Sequence, residues 1–232
     1  MKLAVIPARG GSKRIPRKNI KLFCGRPIIS WSIEAALQSR CFDRVIVSTD
    51  DAEIAEVSQK CGAEVPFVRP AELSDDHTGT TDVIAHAIDW FVEQGETHEQ
   101  VCCLYATAPF VTSVDLCEGL KILNESGADY AFSVTSYAFP IQRAIRINVA
   151  QRVEMFTPEY FNSRSQDLEQ AFHDAGQFYW GRANAWQKKT SIFGSTSSPV
   201  LLPRFRVQDI DTEEDWLDAE LKFKVLMGRQ IN

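Results

Sequence analysis

Short apolar runs alternate with segments of helical spacing over the first 134 residues of the chain. The apolar runs occupy residues 3–7, 44–48, 65–68, 101–105 and 128–134, and the helical segments occupy residues 28–37, 52–61, 80–92 and 113–124. Continuous apolar runs of this length are typical of strands that are buried on both faces of a sheet. The alternation therefore predicts an α/β fold with a mostly parallel sheet and crossover helices. Ligands bind beyond the carboxyl ends of such strands, so the segment after the first run is the first candidate for a site.

The sequence pattern changes after residue 138. Polar and apolar residues alternate through 139–155, which indicates antiparallel strands outside the main sheet. The remaining segments are predicted as a polar stretch at 157–172, strands at 177–180 and 207–210, a loop at 191–198 and a C-terminal helix that opens at 212–215. We therefore expect a single domain over residues 1–232.

Charge and cysteine content narrow the class of protein. The 232 residues include 25 Lys and Arg against 31 Asp and Glu, which gives a net charge of -6. This balance argues against a nucleic-acid partner, because nucleic-acid phosphates are bound by cationic surfaces, but it leaves room for a local anion pocket. No apolar stretch approaches the ~20 residues that span a bilayer, so no membrane partner is expected. None of the six cysteines forms a C-x-x-C pair, so we expect reduced thiols in a cytoplasmic protein and no zinc site.

Residues 8–19 follow the first predicted strand and form a basic loop. Five cations and no acid lie between Arg9 and Lys18, and Gly10 and Gly11 stand side by side. Glycines let a ligand approach the backbone N–H groups, and cations neutralise phosphate, so the loop predicts a polyphosphate site. The alternative is a basic loop that is only solvated. The glycine spacing matches neither a P-loop nor a dinucleotide-binding turn, which argues against both of those classes.

Two carboxylates near the C-terminus suggest a metal site. Asp209 and Asp211 are two residues apart at the end of the strand predicted at 207–210, so both side chains are expected on one face. Carboxylate oxygens are the ligands that Mg²⁺ prefers, and Mg²⁺ also binds phosphate oxygens. The alternative is that the pair caps the C-terminal helix ahead of Thr212.

Four ordered blocks of sequence resemble the sugar-acid cytidylyltransferases, the family that makes CMP-activated sialic acid and related acids. The blocks are Arg9-Gly10-Gly11-Ser12-Lys13 with Lys18-Asn19, then residues 41–50, residues 69–73 and residues 209–213. The resemblance implies a Rossmann-like sheet of the nucleotide-diphospho-sugar transferase type. It also implies a reaction, in which the anomeric hydroxyl of a nonulosonic acid attacks the α-phosphorus of CTP and pyrophosphate leaves.

The resemblance assigns roles to individual residues. Arg9, Lys13 and Asp211 are expected to be catalytic, and Asp209 with Asp211 to hold Mg²⁺. The residues expected to bind the nucleotide are Ala8, Gly10, Gly11, Ser12, Lys18, Asn19, Thr80, Thr81 and Asp82. Whether one of the two aspartates or a metal-bound water acts as the base for the sugar hydroxyl stays open.

Two segments in the second half of the chain indicate which sugar acid is the acceptor. Residues 165–169 and 173–180 favour pseudaminic acid as the acceptor, and Ala106 stands where sialic acid members carry a Gln. The residues expected to bind the sugar are Gln166, His173, Gly176, Gln177 and Tyr179. Sialic, legionaminic and ketodeoxyoctonic acids are the alternative acceptors. A catalytically silent nucleotide-binding protein on the same fold is the alternative of another class.

Residues 139–172 correspond to the inserted lobe of the family, which pairs with a second subunit. The polar and apolar alternation in this lobe fits an arm that buries one face on a partner. The resemblance therefore implies a homodimer and a place in bacterial surface glycan biosynthesis.

Overall fold

The computed structural model describes residues 1–76 and 78–229 of the chain. The elements of the described residues are, in chain order, β1 (Lys2–Pro7), β2 (Leu22–Phe23), β3 (Arg26–Pro27), α1 (Ile28–Ser39), β4 (Arg44–Ser48), α2 (Ala52–Lys60), α3 (Thr80–Glu93), β5 (Gln100–Leu104), α4 (Ser113–Ser126), β6 (Tyr130–Ser136), β7 (Ile145–Ile147), β8 (Val153–Met155), β9 (Phe172–Arg182), α5 (Ala183–Gln187), β10 (Ser197–Leu201) and α6 (Glu213–Arg229). None of these helices has both the length and the apolar character that crossing a membrane requires.

Six strands form one sheet in the order β10-β6-β9-β5-β1-β4. All neighbouring pairs are parallel except those of β9, which runs antiparallel to both β5 and β6. The predicted α/β fold with a mostly parallel sheet is therefore confirmed. Because β9 is reversed, its amino end lies at the same edge of the sheet as the carboxyl ends of the other five strands. This edge carries the candidate site.

Helices cover both faces of the sheet. On one face, α1, α2 and α4 pack around Ile33, Leu116 and Trp180. On the other face, α3 and α5 pack around Phe91 and Trp186. Strand β1 contributes alternate residues to the two clusters, as a central strand buried on both faces must.

A third apolar cluster joins the basic loop to the C-terminal helix. Ile15 is fully buried and packs with Phe23, Trp216 and Phe223 of β2 and α6. The loop between β1 and α1 is therefore anchored in the core by an apolar residue that lies among its cations. This packing does not fit the alternative of a loop that is only solvated.

Three segments differ from the structure in the kind of element that was predicted. Residues 65–68 form no strand, because Glu64 and Val68 make only isolated bridges beside β4. The loop predicted at 191–198 continues into β10, whose Pro199 is tolerated because β10 is an edge strand. Residues 207–210 are not a strand, because Val207 and Ile210 pack into two different apolar clusters instead of pairing with the sheet.

Residues of the segment 139–172 lie largely outside the sheet. Strands β7 and β8 form the antiparallel hairpin that the alternation predicts, with Ile145 opposite Met155. The strand predicted at 177–180 is longer than expected and begins at Phe172. Helix α4 is capped by Thr112, and not by Ser113, through a capping box with Asp115.

Candidate functional site

A cavity of about 530 Å³ opens at the carboxyl edge of the sheet. We call it the basic-loop cavity, because its walls are the basic loop, the segment between α2 and α3, the start of α3, the end of β5 and the segment before α6. The predicted site residues that line it are Arg9, Ser12, Lys13, Lys18, Asn19, Thr80, Asp209 and Asp211. Arg14, Arg69, Asp75, Asp76, Tyr105 and Ala106 also line it, and the sequence assigned none of them to catalysis or binding.

The basic loop is held by the two acids that follow β4. The backbone N–H of Gly10 donates to Asp50 Oδ1 at 2.9 Å. The guanidinium of Arg17 donates to both carboxylate oxygens of Asp51, at 2.5 and 2.9 Å, and lowers the pKa of Asp51 to about 2. Asn19 donates through its side chain to the carbonyl of Arg9 at 2.9 Å, so its amide fixes the loop from inside. These bonds fix the backbone that presents the cations to the cavity.

Three small residues of the loop, Ala8, Gly10 and Gly11, differ in how closely they are packed. Ala8 is buried and its N–H donates to the carbonyl of Ser48 at 2.9 Å. A Cβ added to Gly10 would lie 2.8 Å from Oδ2 of Asp51, whereas one added to Gly11 would meet no atom of the described residues within 4 Å. Gly10 is thus required by the packing of the loop on Asp51, and the space beside Gly11 is open. Ala8, Gly10 and Gly11 do not line the cavity.

Acidic groups face the cations across the cavity. Arg9 donates to Asp76 Oδ1 at 2.6 Å and to the carbonyl of Asp75 at 2.8 Å, and Lys13 also pairs with Asp76. These hydrogen bonds from Lys13 and Arg9 lower the pKa of Asp76. Because the pairs are open to solvent, the cations can exchange a carboxylate for the oxygens of a phosphate at little net cost.

Asp211 lies at the other side of the loop and carries two cations. Arg14 Nη1 is 2.8 Å from its Oδ2, and Lys18 Nζ is 3.3 Å from its Oδ1. The cap of α6 is formed by Thr212 and Asp215, whose side chains each accept from the backbone N–H of the other. The alternative that Asp209 and Asp211 cap this helix is therefore excluded.

Asp209 shares the cavity with Asp211, although the segment that carries them is not a strand. Burial and the charge of Asp211 raise the pKa of Asp209. A carboxylate that lies beside another carboxylate is stabilised by a cation that both can contact. Among the residues that the structure describes, no group of three or more His, Cys, Asp or Glu side chains forms a complete metal site.

Arg69 is a site residue that the sequence did not assign, although it begins the third block of the resemblance. Its residue is only 4% exposed, and its side chain lines the basic-loop cavity. Nε and Nη2 have no hydrogen-bond partner among the described residues, and Asp50 Oδ1 is 3.7 Å from Nη2. Burial lowers the pKa of Arg69 while Asp50 opposes the shift. A buried guanidinium with unpartnered donors is costly, so an acceptor in the cavity would stabilise it.

A second cavity, of about 410 Å³, adjoins the first and shares Tyr105 and Asp209 with it. We call it the β9 cavity, because the amino end of β9 forms one wall. Of the residues expected to bind a sugar, His173, Gly176 and Tyr179 line it. Asp174, which the sequence left without a role, lines it as well.

The other residues expected to bind a sugar lie elsewhere. Gln177 is buried outside both cavities, and its Nε2 donates to the carbonyl of Arg206 at 2.6 Å. Gln166 is exposed in a short 3₁₀ turn of the lobe, Ser165–Asp167, and lines neither cavity.

Thr80, Thr81 and Asp82 were all expected to contact the nucleotide. They are consecutive residues of α3, so their side chains point in different directions around the helix. Thr80 faces the basic-loop cavity, whereas Thr81 and Asp82 do not. Asp82 is turned toward the far side of α3, where it pairs with Lys189 at 2.5 Å. The placement thus favours Thr80 of the three.

A cation-lined cavity at the carboxyl edge of a parallel sheet lies where open α/β sheets bind their ligands, and its cations suit the phosphates of a nucleotide. The family model for cytidylyltransferases matches residues 3–206, so the chain belongs to the cytidylyltransferase family. The predicted membership and the predicted CTP-dependent nucleotidyltransferase activity are confirmed.

The chain is similar to curated proteins along nearly its whole length. It is 48% identical over 223 residues to a pseudaminic acid cytidylyltransferase of Campylobacter jejuni, with 96% of each chain covered. It is 34% identical to a CMP-N,N'-diacetyllegionaminic acid synthase of Legionella pneumophila, with 94% of each covered. A zebrafish (Danio rerio) N-acylneuraminate cytidylyltransferase A is 33% identical, with 94% of this chain and 49% of that protein covered.

A solved structure has the same fold at low sequence identity. A CMP:2-keto-3-deoxy-manno-octonic acid synthetase, solved in complex with CTP, superposes with a TM-score of 0.68 at 19% identity and covers 99% of each chain. This similarity confirms the fold.

Proposed function

We propose that the chain transfers CMP from CTP to the anomeric hydroxyl of a nonulosonic acid, with pseudaminic acid as the acceptor, and releases pyrophosphate. The observation that carries this proposal is that the basic-loop cavity and the β9 cavity meet at Tyr105 and Asp209. A triphosphate in the first and a sugar acid in the second would bring the two reactants together at the carboxylates. The similarity to the pseudaminic acid cytidylyltransferase of C. jejuni supports the choice of acceptor.

The cations of the loop bind the triphosphate. Arg9 and Lys13 leave Asp76 for phosphate oxygens and neutralise the charge that develops on the transferring group and on the leaving pyrophosphate. Phosphoryl-type transfer depends on alignment and charge neutralisation more than on covalent chemistry. Lys18 contributes a further cation, and Arg69 offers its two unpartnered donors to acceptor oxygens of CTP.

Asp209 and Asp211 would hold Mg²⁺. The raised pKa of Asp209 beside Asp211 supports this assignment, since a shared cation relieves the repulsion between the two carboxylates. Two carboxylates suit Mg²⁺, which commonly takes its remaining ligands from phosphate oxygens and water. When bound, the ion adds positive charge at the phosphates. Arg14 and Lys18, which pair with Asp211, hold that carboxylate at the cavity.

One experiment tests the reaction and the acceptor. The protein is incubated with CTP, Mg²⁺ and in turn pseudaminic, N,N'-diacetyllegionaminic, N-acetylneuraminic and ketodeoxyoctonic acids, and pyrophosphate release is measured. We expect the highest kcat/KM with pseudaminic acid. If none of the four acids supports pyrophosphate release, the proposed reaction is refuted. A preference for another acid would refute only the choice of pseudaminic acid as acceptor.

Asp211→Asn is expected to reduce activity by about 10²–10³-fold, by analogy with other groups that stabilise transition-state charge. Full activity of this variant at the wild-type Mg²⁺ requirement would place the metal elsewhere.

We further propose that the lobe at 139–172 pairs with a second copy of the chain. Its exposed large apolar side chains include Phe139, Ile145, Ile147, Val149, Val153, Phe156 and Phe161. Apolar side chains concentrated in this way on one lobe mark an interaction surface, and a two-fold dimer is the commonest oligomer.

The cytoplasm is the proposed compartment, and the six free thiols support it because such thiols persist in a reducing environment. The product would be an activated sugar acid, which a glycosyltransferase of bacterial surface glycan biosynthesis would consume.

A further inference from the structure

Asp174 is a carboxylate of the β9 cavity that forms no ion pair with any of the residues that the structure describes. It lies at the amino end of β9, half-buried. Its Oδ2 accepts from the hydroxyl of Tyr179 at 2.5 Å, and its Oδ1 accepts from the N–H of Gly176 at 2.8 Å. Each carboxylate oxygen can accept more than one hydrogen bond, so both oxygens retain acceptor capacity toward the cavity.

The surroundings of Asp174 differ from those of two acids in the basic-loop cavity, Asp76 and Asp211. Asp76 and Asp211 are each paired with two cations. Over residues 1–76 and 78–229, Asp174 takes part in no ion pair. Its negative charge adds to burial in raising the pKa of Tyr179, so the neighbouring hydroxyl stays a neutral donor.

A carboxylate that forms no ion pair influences how a sugar acid is oriented when it binds. It repels the carboxylate of the acceptor and attracts neutral hydrogen-bond donors, and both effects are strong where water is partly excluded. The acceptor's own carboxylate is therefore directed away from Asp174, toward the cations of the basic-loop cavity. The side of the sugar that faces Asp174 must carry a donor.

We propose that Asp174 is a specificity-determining residue that accepts a hydrogen bond from an acylamino N–H of the acceptor. This inference rests on the proposed function. It predicts a preference for N-acylated sugar acids. The Legionella relative is named for an N,N'-diacetyl acid and the zebrafish relative for an N-acyl acid.

The test compares two acceptors that differ in one hydrogen-bond donor. Pseudaminic acid is paired with analogues in which one acetamido group or the other is replaced by acetoxy, which has nearly the same shape but no N–H. For the wild type, kcat/KM is expected to be about 10- to 100-fold lower with one of the analogues. This factor corresponds to the free energy that one hydrogen bond to a charged group contributes. In Asp174→Asn that preference should shrink about tenfold, mainly through the KM of the acetamido acceptor, while the KM for CTP stays within about twofold.

Each other outcome overturns the inference. If wild-type protein uses acetamido and acetoxy acceptors equally, or if Asp174→Asn slows both by the same factor, Asp174 only supports Tyr179 and the turn at Gly176. If no acid gives pyrophosphate release, the proposed function fails and the inference fails with it. The matched control is Asp218→Asn, an exposed aspartate of α6 outside both cavities, which should leave the acceptor preference unchanged.

Discussion

At the scale of single residues, the basic loop combines groups that bind with groups that only support. Arg9, Lys13 and Lys18 reach the cavity, whereas Arg17 turns away to Asp51. The sequence predicted a phosphate-binding loop from its cations, but it could not separate these two roles. The separation depends on Ile15, whose burial fixes which side of the loop faces the cavity.

Gly10 and Gly11 give a matched pair of substitutions. Gly10→Ala places a methyl group 2.8 Å from Asp51 Oδ2, so either the loop or the Asp51–Arg17 pair must move. We expect a loss of about 1–3 kcal/mol in the free energy of unfolding, measured by urea denaturation, as for other overpacked sites. Gly11→Ala meets no atom and should change the free energy of unfolding by less than about 0.5 kcal/mol. Equal losses in both variants would contradict the packing role of Gly10.

At the scale of elements, the alternation of apolar runs and helices predicted the parallel strands well because each run is buried on both faces. The two segments wrongly predicted as strands share one cause. Residues 65–68 and 207–210 are apolar segments that pack as irregular chain, and periodicity alone cannot tell them from strands. Strand β10 begins with two serines and a proline, a pattern typical of a loop, and it becomes a strand by pairing with β6. Arg69 was missed because its unpartnered donors depend on burial that no local pattern reveals.

The segment that carries Asp209 is fixed by an ion pair with helix α4. Arg206 donates to both carboxylate oxygens of Asp115, at 2.5 and 2.8 Å. Asp115 is buried and also belongs to the capping box of α4. Burial alone would raise the pKa of Asp115, but hydrogen bonds from Arg206 and Thr112 lower it. The pair thus connects the start of α4 to the carboxylates of the site.

A double-mutant cycle measures this connection. Arg206→Met leaves a buried carboxylate without its cation, and Asp115→Asn leaves the guanidinium without its anion, so each should cost about 3 kcal/mol in the free energy of unfolding. The double variant should lose less than the sum of the two, and additive losses would contradict the coupling. Because the pKa of Asp115 is lowered by folding, the coupling is present above about pH 4 and is lost as the pH falls below this value.

At the scale of the whole molecule, the sequence predicted one α/β domain with a lobe, and the family assignment came from blocks that lie far apart in the chain. The structure shows in addition that the basic-loop cavity and the β9 cavity adjoin each other. No single one of these sequence blocks contains the residues of both cavities. It also places Gln166 away from both cavities of its own chain, in the lobe that we propose to be covered by a second copy.

A lysine introduced into the lobe at 139–172 tests the proposed dimer. Ile147 is 68% exposed on β7, and Ile147→Lys should shift the mass from dimer to monomer at micromolar protein in light scattering, because burying a lysine in an apolar interface is unfavourable. Val92→Lys, a substitution of a 48% exposed residue at the end of α3, is the control and should leave the mass unchanged. A wild-type protein that is monomeric under these conditions would refute the proposal.

The reversed strand β9 has a consequence for how the chain acquires its site. It lies between β5 and β6, yet it is synthesised after both of them and after the lobe. Until residues 172–182 leave the ribosome, β5 and β6 each have an edge with unpaired backbone groups, and the sheet is in two parts. The same strand carries His173, Asp174 and Tyr179, so joining the two parts of the sheet also builds the wall of the β9 cavity. The basic loop is completed later still, because Ile15 packs on Trp216 and Phe223 of α6, which follows β9 in the chain.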